Sequence, residues 1–208
     1  MKKAIPLLFA VLCLLALSGC GSPAVEYDAK PVLYLYPEEE TTVNVQLDYT
    51  GQLTTTYPAY EDGWTVTAHP DGTLTDPATG RAYYCLFWEG ISPVEYDFSE
   101  GFVVPGNETA AFLEETLATL GLTDQEANEF LIYWLPKMEG NPYNLIAFQD
   151  EVYTENAALS ISPTPDTLLR VFMAWKGLEE PVEVQPQVLT PTPRTGFTMV
   201  EWGGAEVQ

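Results

Sequence analysis

The stretch Tyr83–Gly90, YYCLFWEG, decides what kind of fold this 208-residue chain adopts. Successive side chains of a β-strand point to opposite faces, which places Cys85 and Phe87 on one face and Leu86 and Trp88 on the other. Both faces are apolar, a pattern typical of a strand that is covered on both sides. The stretch therefore predicts a central strand between two packed layers.

The flanking sequence also has the patterns of strands. Val43, Val45 and Leu47 alternate with polar residues, which predicts a half-buried strand, and Gly51 predicts a hairpin to the strand that follows. The turn at 70–72, Pro-Asp-Gly, predicts a second hairpin. Further strands are predicted for the segments AALSISP, TLLRVFMAW and FTMVEWGG.

The middle of the chain changes to a helical period. A capping asparagine, Asn107, and a stop at Gly121 delimit the first predicted helix. Thr123 and Glu126 form a capping box that predicts the start of a second helix. Pro136 favours an end of that helix before IYWLPKM, which is then predicted to be one arm of a hairpin with YNLIAFQ. The alternative is that this segment continues the helix.

Together these patterns predict an α+β fold that is predominantly antiparallel β. We expect a two-layer β-sandwich-like domain over residues 30–208, with a helical pair inserted at about 107–131. The passage 181–196 is rich in proline and threonine and is expected to cross the surface in an extended form.

The first twenty residues have the layout of a secretory signal. Lys2 and Lys3 precede an apolar run, and LSGC resembles the bacterial lipobox, in which the cysteine becomes the lipidated first residue. We therefore predict a signal peptide over 1–19, a lipid anchor on Cys20 and a short tether over 20–29, which together place the domain on the extracytoplasmic face of the cell membrane. An ordinary cleaved signal is the alternative.

The composition is strongly acidic. The formal net charge is −22, from 30 acidic and eight basic residues, which argues against nucleic acid and anionic lipid headgroups as partners. A solvated surface explains this charge. Acidic turns in YEDGW, DGTLTD and EYDFSEG also allow a structural calcium ion, although none matches the twelve-residue calcium loop. No other cofactor is predicted.

Several segments resemble a family of uncharacterised bacterial lipoproteins that open with a KPVIYLYP-type motif. The resemblance rests on KPVLYLYP, GWTVTAHPDGTL, YYCLFWEG, YWLPKM, LRVFMAW and GFTMVEWGG, and it covers residues 30–204. It implies one coherent domain in an extracytoplasmic setting, and it carries no activity. The family pattern implies a tyrosine or similar residue where Cys85 stands, which argues against an obligatory thiol.

Aromatic and acidic residues at strand ends are the candidate ligand site. Trp88 and Glu89 end one predicted strand, and Trp202 stands near the end of the last one. An indole ring stacks on the apolar face of a sugar, while a carboxylate accepts hydrogen bonds from its hydroxyl groups. The alternative is that these residues belong to the core.

Glu201 offers a different chemistry. If both strands end at one rim, Glu89 and Glu201 form a carboxylate pair of the kind that glycosidases use. The alternative is that Glu201 pairs with Arg170 or Lys137 while Trp202 closes the end of the sandwich.

Other catalytic chemistries fit the sequence less well. Cys85 and the sole histidine, His69, both lie in strand patterns with no orienting third group, and Ser99 lacks the nucleophile elbow. Zinc sites need more histidine and cysteine ligands, and a phosphate-binding loop is absent.

Three functions follow from these patterns. The first is a lipid-anchored binding or structural module at the bacterial cell envelope, which recognises a glycan, a peptide or a partner protein. The second is an envelope hydrolase that acts on glycans through two carboxylates. The third is an inhibitor or accessory subunit held near the membrane by its short tether.

Overall fold

The computed structural model describes residues 26–207, which form two β-sheets and a layer of helices. The predicted signal peptide over 1–19 and the predicted lipidation site, Cys20, lie outside the described residues. The first strand begins at Glu26, so the last four residues of the predicted tether belong to a sheet. Within 26–207, no helix has the length and apolar character needed to cross a membrane.

The described part of the chain contains thirteen strands and three helices. The strands of the described part are β1 (Glu26–Tyr36), β2 (Thr41–Tyr49), β3 (Gln52–Tyr57), β4 (Trp64–Ala68), β5 (Leu74–Thr75), β6 (Ala82–Tyr83), β7 (Leu86–Ser92), β8 (Glu100–Pro105), β9 (Tyr143–Gln149), β10 (Ala157–Ser162), β11 (Thr167–Leu178), β12 (Gln185–Pro186) and β13 (Thr198–Glu206). The helices are α1 (Thr109–Leu120), α2 (Asp124–Met138) and α3 (Glu151–Asn156), and a 3-10 turn, Gly106–Glu108, precedes α1.

The strands form one large sheet and one small sheet. The large sheet has the order β12-β8-β9-β11-β13-β1-β7-β3, and the small sheet has the order β10-β2-β4-β5-β6. Neighbouring strands are antiparallel except for β11 with β13 and β12 with β8. The predicted α+β fold, predominantly antiparallel and sandwich-like with a helical pair in its middle, is therefore confirmed.

The large sheet is covered differently on its two faces. One face packs on the small sheet through a core that contains Trp64, Trp88 and Phe172. The other face packs on α1 and α2 through a core that contains Phe130 and Trp202. The helical pair is thus a third layer outside the sandwich.

The ends of the helices follow the sequence signals in part. The capping box of Thr123 and Glu126 is present, and Gly121 ends α1 with a φ of 106°, a conformation that glycine adopts without strain. The prediction for Asn107 is wrong, because this residue lies in the 3-10 turn and α1 begins at Thr109 without a side-chain cap.

The predicted strand IYWLPKM is the end of α2. Phe130, Trp134 and Met138 are buried at helical spacing, so packing on the sheet holds this segment in the helix. Because proline has no N–H, Pro136 leaves the carbonyl of Ile132 without its helical hydrogen bond. Ile132 is 76% exposed, and the helix ends two residues after Pro136. The strand β9 pairs instead with β8 and β11.

Of the three predicted hairpins, only the one around the turn 70–72 is formed. Around the turn 70–72, β4 pairs with β5 as expected. Around Gly51 the chain changes sheets, because β2 belongs to the small sheet and β3 pairs with β7 in the large one. A Cβ atom on Gly51 would lie 2.0 Å from the carbonyl oxygen of Ile91, so only glycine fits this crossing.

The stretch YYCLFWEG also passes from one sheet to the other. Tyr83 ends β6 in the small sheet, and β7 begins at Leu86 between β1 and β3. Leu86 and Trp88 are buried against the small sheet, whereas Phe87 is half-buried on the opposite face. The predicted central strand is therefore closed on one face and partly open on the other.

Candidate functional site

The partly open face of β7 forms a groove with aromatic walls, which we call the aromatic groove. Its volume is about 490 Å³. Its lining residues come from β1, the end of β3 and the segment that leads from β6 into β7: Lys30, Val32, Tyr57, Ala82, Tyr83, Tyr84, Cys85 and Phe87.

A β-bulge in β1 places a lysine in the aromatic groove. The register with β7 shifts between Asp28 and Val32, and Lys30 has a φ of 62°, which is uncommon outside glycine. Bulges re-aim side chains. The ammonium group of Lys30 lies 5.3 Å from the ring centre of Phe87 and 5.9 Å from that of Tyr133 in α2.

Two tyrosines present much of their surface to solvent at the aromatic groove. Tyr57 is 49% exposed and Tyr84 is 58% exposed. Tyr57 contacts Tyr83 edge to face, with 5.5 Å between ring centres, and the guanidinium of Arg81 lies within 6 Å of both rings. Such contacts hold the rings while leaving surface available to a ligand.

Glu89 lies on the same face of β7 as Phe87, and two hydrogen bonds hold it there. The hydroxyl of Tyr27 donates a hydrogen bond to it at 2.5 Å, and the backbone N–H of Lys30 donates another at 3.2 Å. Burial and the Glu89 carboxylate raise the pKa of Tyr27 to about 12. At neutral pH this hydroxyl therefore keeps its proton and holds the carboxylate in place.

Cys85 is a neutral thiol at the floor of the aromatic groove. Burial raises its pKa to about 11, and the charge of Glu129 acts in the same direction, while Lys30 partly offsets them. Only the thiolate is a nucleophile, so this thiol is unreactive at neutral pH. The sequence did not reveal Glu129, which accepts a hydrogen bond from the Tyr34 hydroxyl at 2.6 Å.

The two tryptophans that were predicted to bind a ligand are in the core. Trp88 and Trp202 are both 0% exposed. Trp88 lies between the sheets, and its indole N–H donates to Glu201 at 3.1 Å. Trp202 lies under the helices, 5.3 Å from the ring of Phe130. This position contradicts the predicted platform, because neither indole face is open to a ligand.

The predicted carboxylate pair is not formed either. Glu201 is fully buried, and its carboxylate accepts a hydrogen bond from Nε of Arg170 at 2.7 Å. It shares the small-sheet side with Trp88, whereas Glu89, the next residue along β7, points to the opposite face. The large sheet separates the two carboxylates, and the structure contains the alternative pair of Glu201 with Arg170.

Arg170 and Glu201 are part of a larger group of polar side chains between the sheets. Arg170 also donates to the carbonyl of Ala157 at 2.7 Å, and its guanidinium lies 4.7 Å from the ring centre of Tyr153. Asp28 lies in the same layer. We call Asp28, Tyr153, Arg170 and Glu201, with their hydrogen-bond partners, the buried network.

Asp28 is a second fully buried carboxylate, and no pattern in the sequence pointed to it. It accepts hydrogen bonds from the hydroxyls of Tyr49 and Tyr96 and from the side-chain amide of Asn156. Burial raises its pKa, and these hydrogen bonds oppose that effect. A Cβ atom on Gly90 would lie 2.4 Å from the Tyr49 ring, so glycine leaves room for the tyrosine to reach Asp28.

The remaining candidates have local roles. The ring of His69 contacts Glu40 at 3.5 Å and Thr75 at 3.3 Å, and Ser99 donates to Asp97 within its own turn. Aspartates in two of the acidic turns likewise accept hydrogen bonds from nearby backbone N–H groups. Within residues 26–207, no group of three or more histidine, cysteine or acidic side chains is arranged to hold a metal ion.

The sequence is similar to a known bacterial protein, the uncharacterized protein in the bglA 3′ region of Butyrivibrio fibrisolvens. The two are 43% identical over 95 residues, which span 43% of this chain and 97% of that protein. This chain belongs to the family of that protein. This relationship does not identify a ligand or a reaction. No family model matches the chain, and no solved structure matches it.

Proposed function

We propose that this protein is a lipid-anchored module on the extracytoplasmic face of a bacterial cell membrane, and that it binds a carbohydrate in the aromatic groove. The observation that carries the proposal is the pair of exposed tyrosine rings, Tyr57 and Tyr84, on a groove of about 490 Å³. Ligand sites commonly have volumes of about 300–1,000 Å³ and combine apolar walls with a few polar groups.

The chemistry of the aromatic groove suits a sugar. The C–H face of a sugar ring stacks on an aromatic ring, and its hydroxyl groups need donors and acceptors at the rim. Tyr57 and Tyr84 supply the rings, Lys30 supplies a donor and Glu89 supplies an acceptor. Because Tyr27 and the bulge at Lys30 hold Glu89 in advance, the acceptor loses little freedom when a ligand arrives.

Binding fits this arrangement better than glycan hydrolysis. A glycosidase of the usual kind needs two carboxylates, one on each side of the glycosidic bond that it cleaves. Glu89 faces the aromatic groove, whereas Glu201 is buried on the other side of the sheet in a hydrogen bond with Arg170. The thiol of Cys85 is protonated at neutral pH.

The N-terminal sequence supports the anchor. LSGC at residues 17–20 resembles a lipobox, and several segments of the chain resemble those of the lipoprotein family described above. The six residues that precede Glu26, 20–25, can span at most about 20 Å. The domain would therefore stay close to the membrane surface, where envelope glycans lie.

A binding experiment tests the sugar site. The protein as the bacterium produces it, purified in a mild detergent, is applied to an array of microbial and plant glycans, and each hit is measured by calorimetry. Tyr57→Ala and Tyr84→Ala should weaken a hit, whereas Leu168→Ala, an equally exposed apolar residue on β11, should not. An array without hits would contradict the proposal.

A separate experiment tests the anchor. Mass spectrometry of the mature protein should find a diacylglyceryl group on Cys20, and Cys20→Ser should release the protein from the membrane fraction. An unmodified Cys20 would show that the protein is secreted through an ordinary signal.

A further inference from the structure

The cations of this protein are few and unevenly placed. Six basic residues lie within 26–207: Lys30, Arg81, Lys137, Arg170, Lys176 and Arg194. Two of them are paired with buried glutamates, Arg170 with Glu201 and Arg194 with Glu126. The other four form no salt bridge with any residue in that range.

Of those four cations, Lys30 lines the aromatic groove, Arg81 lies near two of its rings, and Lys137 lies over a ring that Lys30 also approaches. Lys30 lies over Phe87, and Arg81 lies within 6 Å of the ring centre of Tyr57. Lys137 lies 4.9 Å from the ring centre of Tyr133, whose ring also contacts Lys30. In a chain with a net charge of −22, this is a local concentration of cations without acidic partners.

The contacts of these cations leave hydrogen-bond donors available. A cation over an aromatic face is attracted by the ring but makes no conventional hydrogen bond with it. The planar guanidinium of Arg81 matches a carboxylate in two parallel hydrogen bonds, and the lysine ammonium groups are mobile point charges. The negative field of the whole chain is screened beyond about 8–10 Å at physiological salt, so the nearest charges dominate.

Two carboxylates also lie near the aromatic groove: Glu89, which is held beside Lys30, and Glu129, whose charge acts on the Cys85 thiol. Glu89 accepts hydrogen bonds from Tyr27 and from the backbone of Lys30. Glu129 accepts hydrogen bonds from Tyr34 and Gln125. Carboxylates can accept hydrogen bonds from the hydroxyl groups of a ligand but cannot pair with its negative charges. Of these charged groups, the three cations are therefore the ones that can pair with an acidic ligand.

We propose that the ligand of the aromatic groove is an acidic oligosaccharide, a polymer of sugars that carry carboxylates. Its rings stack on Tyr57 and Tyr84, and its carboxylates pair with Arg81, Lys30 and Lys137. This inference rests on the proposed function and names the class of sugar.

The test compares acidic sugars with their uncharged esters. Oligomers of galacturonate, glucuronate and mannuronate, each beside its methyl ester, are titrated into the full protein in detergent, together with neutral oligomers of glucose, galactose and mannose. The ester keeps the ring and removes the charge. At least one acid should bind about tenfold more tightly than its ester, and the difference should shrink as salt rises.

Variants locate the charge recognition. Arg81→Gln and Lys137→Gln should each weaken binding of the acid about fivefold more than they weaken binding of the ester. Lys176→Gln is the matched control, because Lys176 also lies over a ring, Phe98 at 4.4 Å, and has no salt bridge in the described part. It should change neither affinity, and unfolding midpoints should show that all three variants fold.

The outcomes separate the two proposals. If acids and esters bind equally, or only neutral oligomers bind, the inference about charge is wrong and the sugar site remains. If no sugar binds, the proposed function fails and this inference fails with it. If Lys176→Gln weakens binding as much as Arg81→Gln does, the charge effect is not located at the aromatic groove, and the inference is also wrong.

Discussion

The two faces of the large sheet use the same kinds of side chains in opposite ways. In the buried network, Arg170 lies over Tyr153 and pairs with Glu201. In the aromatic groove on the other face, Lys30 lies over Phe87. One arrangement is sealed between two sheets, whereas the other is open to solvent.

This difference shows that burial decides whether a charged side chain has a structural role or can bind a ligand. A charge between two sheets has lost its water, so it is stable only with a partner of opposite charge and further hydrogen bonds. A cation at an open groove keeps its water and needs no such partner, so it can exchange that water for a ligand. The kinds of residue are the same, and the access of solvent decides what they do.

The largest change in stability is expected when the buried network loses its cation, Arg170. Arg170→Met leaves the carboxylate of Glu201 buried without its partner, which should lower the free energy of unfolding by about 3–5 kcal/mol. Urea denaturation measures this change. The double variant Arg170→Met with Glu201→Gln removes the isolated charge and should recover a large part of the loss. A loss below about 1 kcal/mol in the single variant would contradict the structural role of this pair.

A pH titration tests Asp28, the other carboxylate of the buried network. Burial raises the pKa of Asp28, so the folded protein holds a proton that the unfolded chain releases above about pH 4. The stability from this proton is fully present below the unfolded pKa and is lost as pH rises through the raised folded pKa. Asp28→Asn removes this titration, so the stability of the wild type relative to the variant should fall as pH rises above about 4.

An exposed carboxylate provides the control for Asp28. Asp62→Asn changes a residue at the surface. The stability of the wild type relative to this variant should not fall in the same way as pH rises. Urea denaturation at five pH values gives both comparisons. A wild-type advantage over Asp28→Asn that stays constant or grows with pH would show that burial does not raise this pKa.

In the aromatic groove, a substitution should change ligand binding rather than the stability of the fold. Tyr84 is 58% exposed, so Tyr84→Ala should alter the free energy of unfolding by less than about 0.5 kcal/mol. The lost stacking should weaken ligand binding by about 0.5–1.5 kcal/mol. Calorimetry and denaturation on the same preparation separate these effects, and a variant that unfolds easily would assign Tyr84 to the core.

The smallest effect is expected in the chemistry of Cys85. With its pKa raised to about 11, the thiol should react with iodoacetamide far more slowly at pH 7.5 than a free cysteine does. The labelling rate should rise steadily toward pH 10. A fast rate at neutral pH would show that the groove floor is more polar than its apolar walls indicate.

Part of the candidate site was predictable from the sequence. Glu89 was found because it follows an apolar run, although the predicted strand end at Glu89 is wrong, since β7 continues to Ser92. The inert role of Cys85 was also among the predictions. Tyr57, Lys30 and Arg81 were not found, because they come from separate segments that carry no shared pattern. Their proximity depends on the pairing of β7 with β1 and β3, which no local signal encodes.

The sequence by itself determined the local elements of this protein. A strand period of two and a capping box need only a few neighbouring residues, so the strand over 41–49 and the start of α2 at Thr123 were predicted correctly. The acidic charge and the signal-like start of the chain are likewise properties of composition and order.

Only the tertiary structure decided which faces are closed. β2 and β3 belong to different sheets, and Asp28 meets Asn156 across 128 positions of the chain. Trp88 and Glu89 are neighbours in sequence, yet the first is sealed in the core while the second borders the aromatic groove. The physical reason is that alternation sends adjacent side chains to opposite faces of a strand, while burial depends on the layers that long-range packing places over each face.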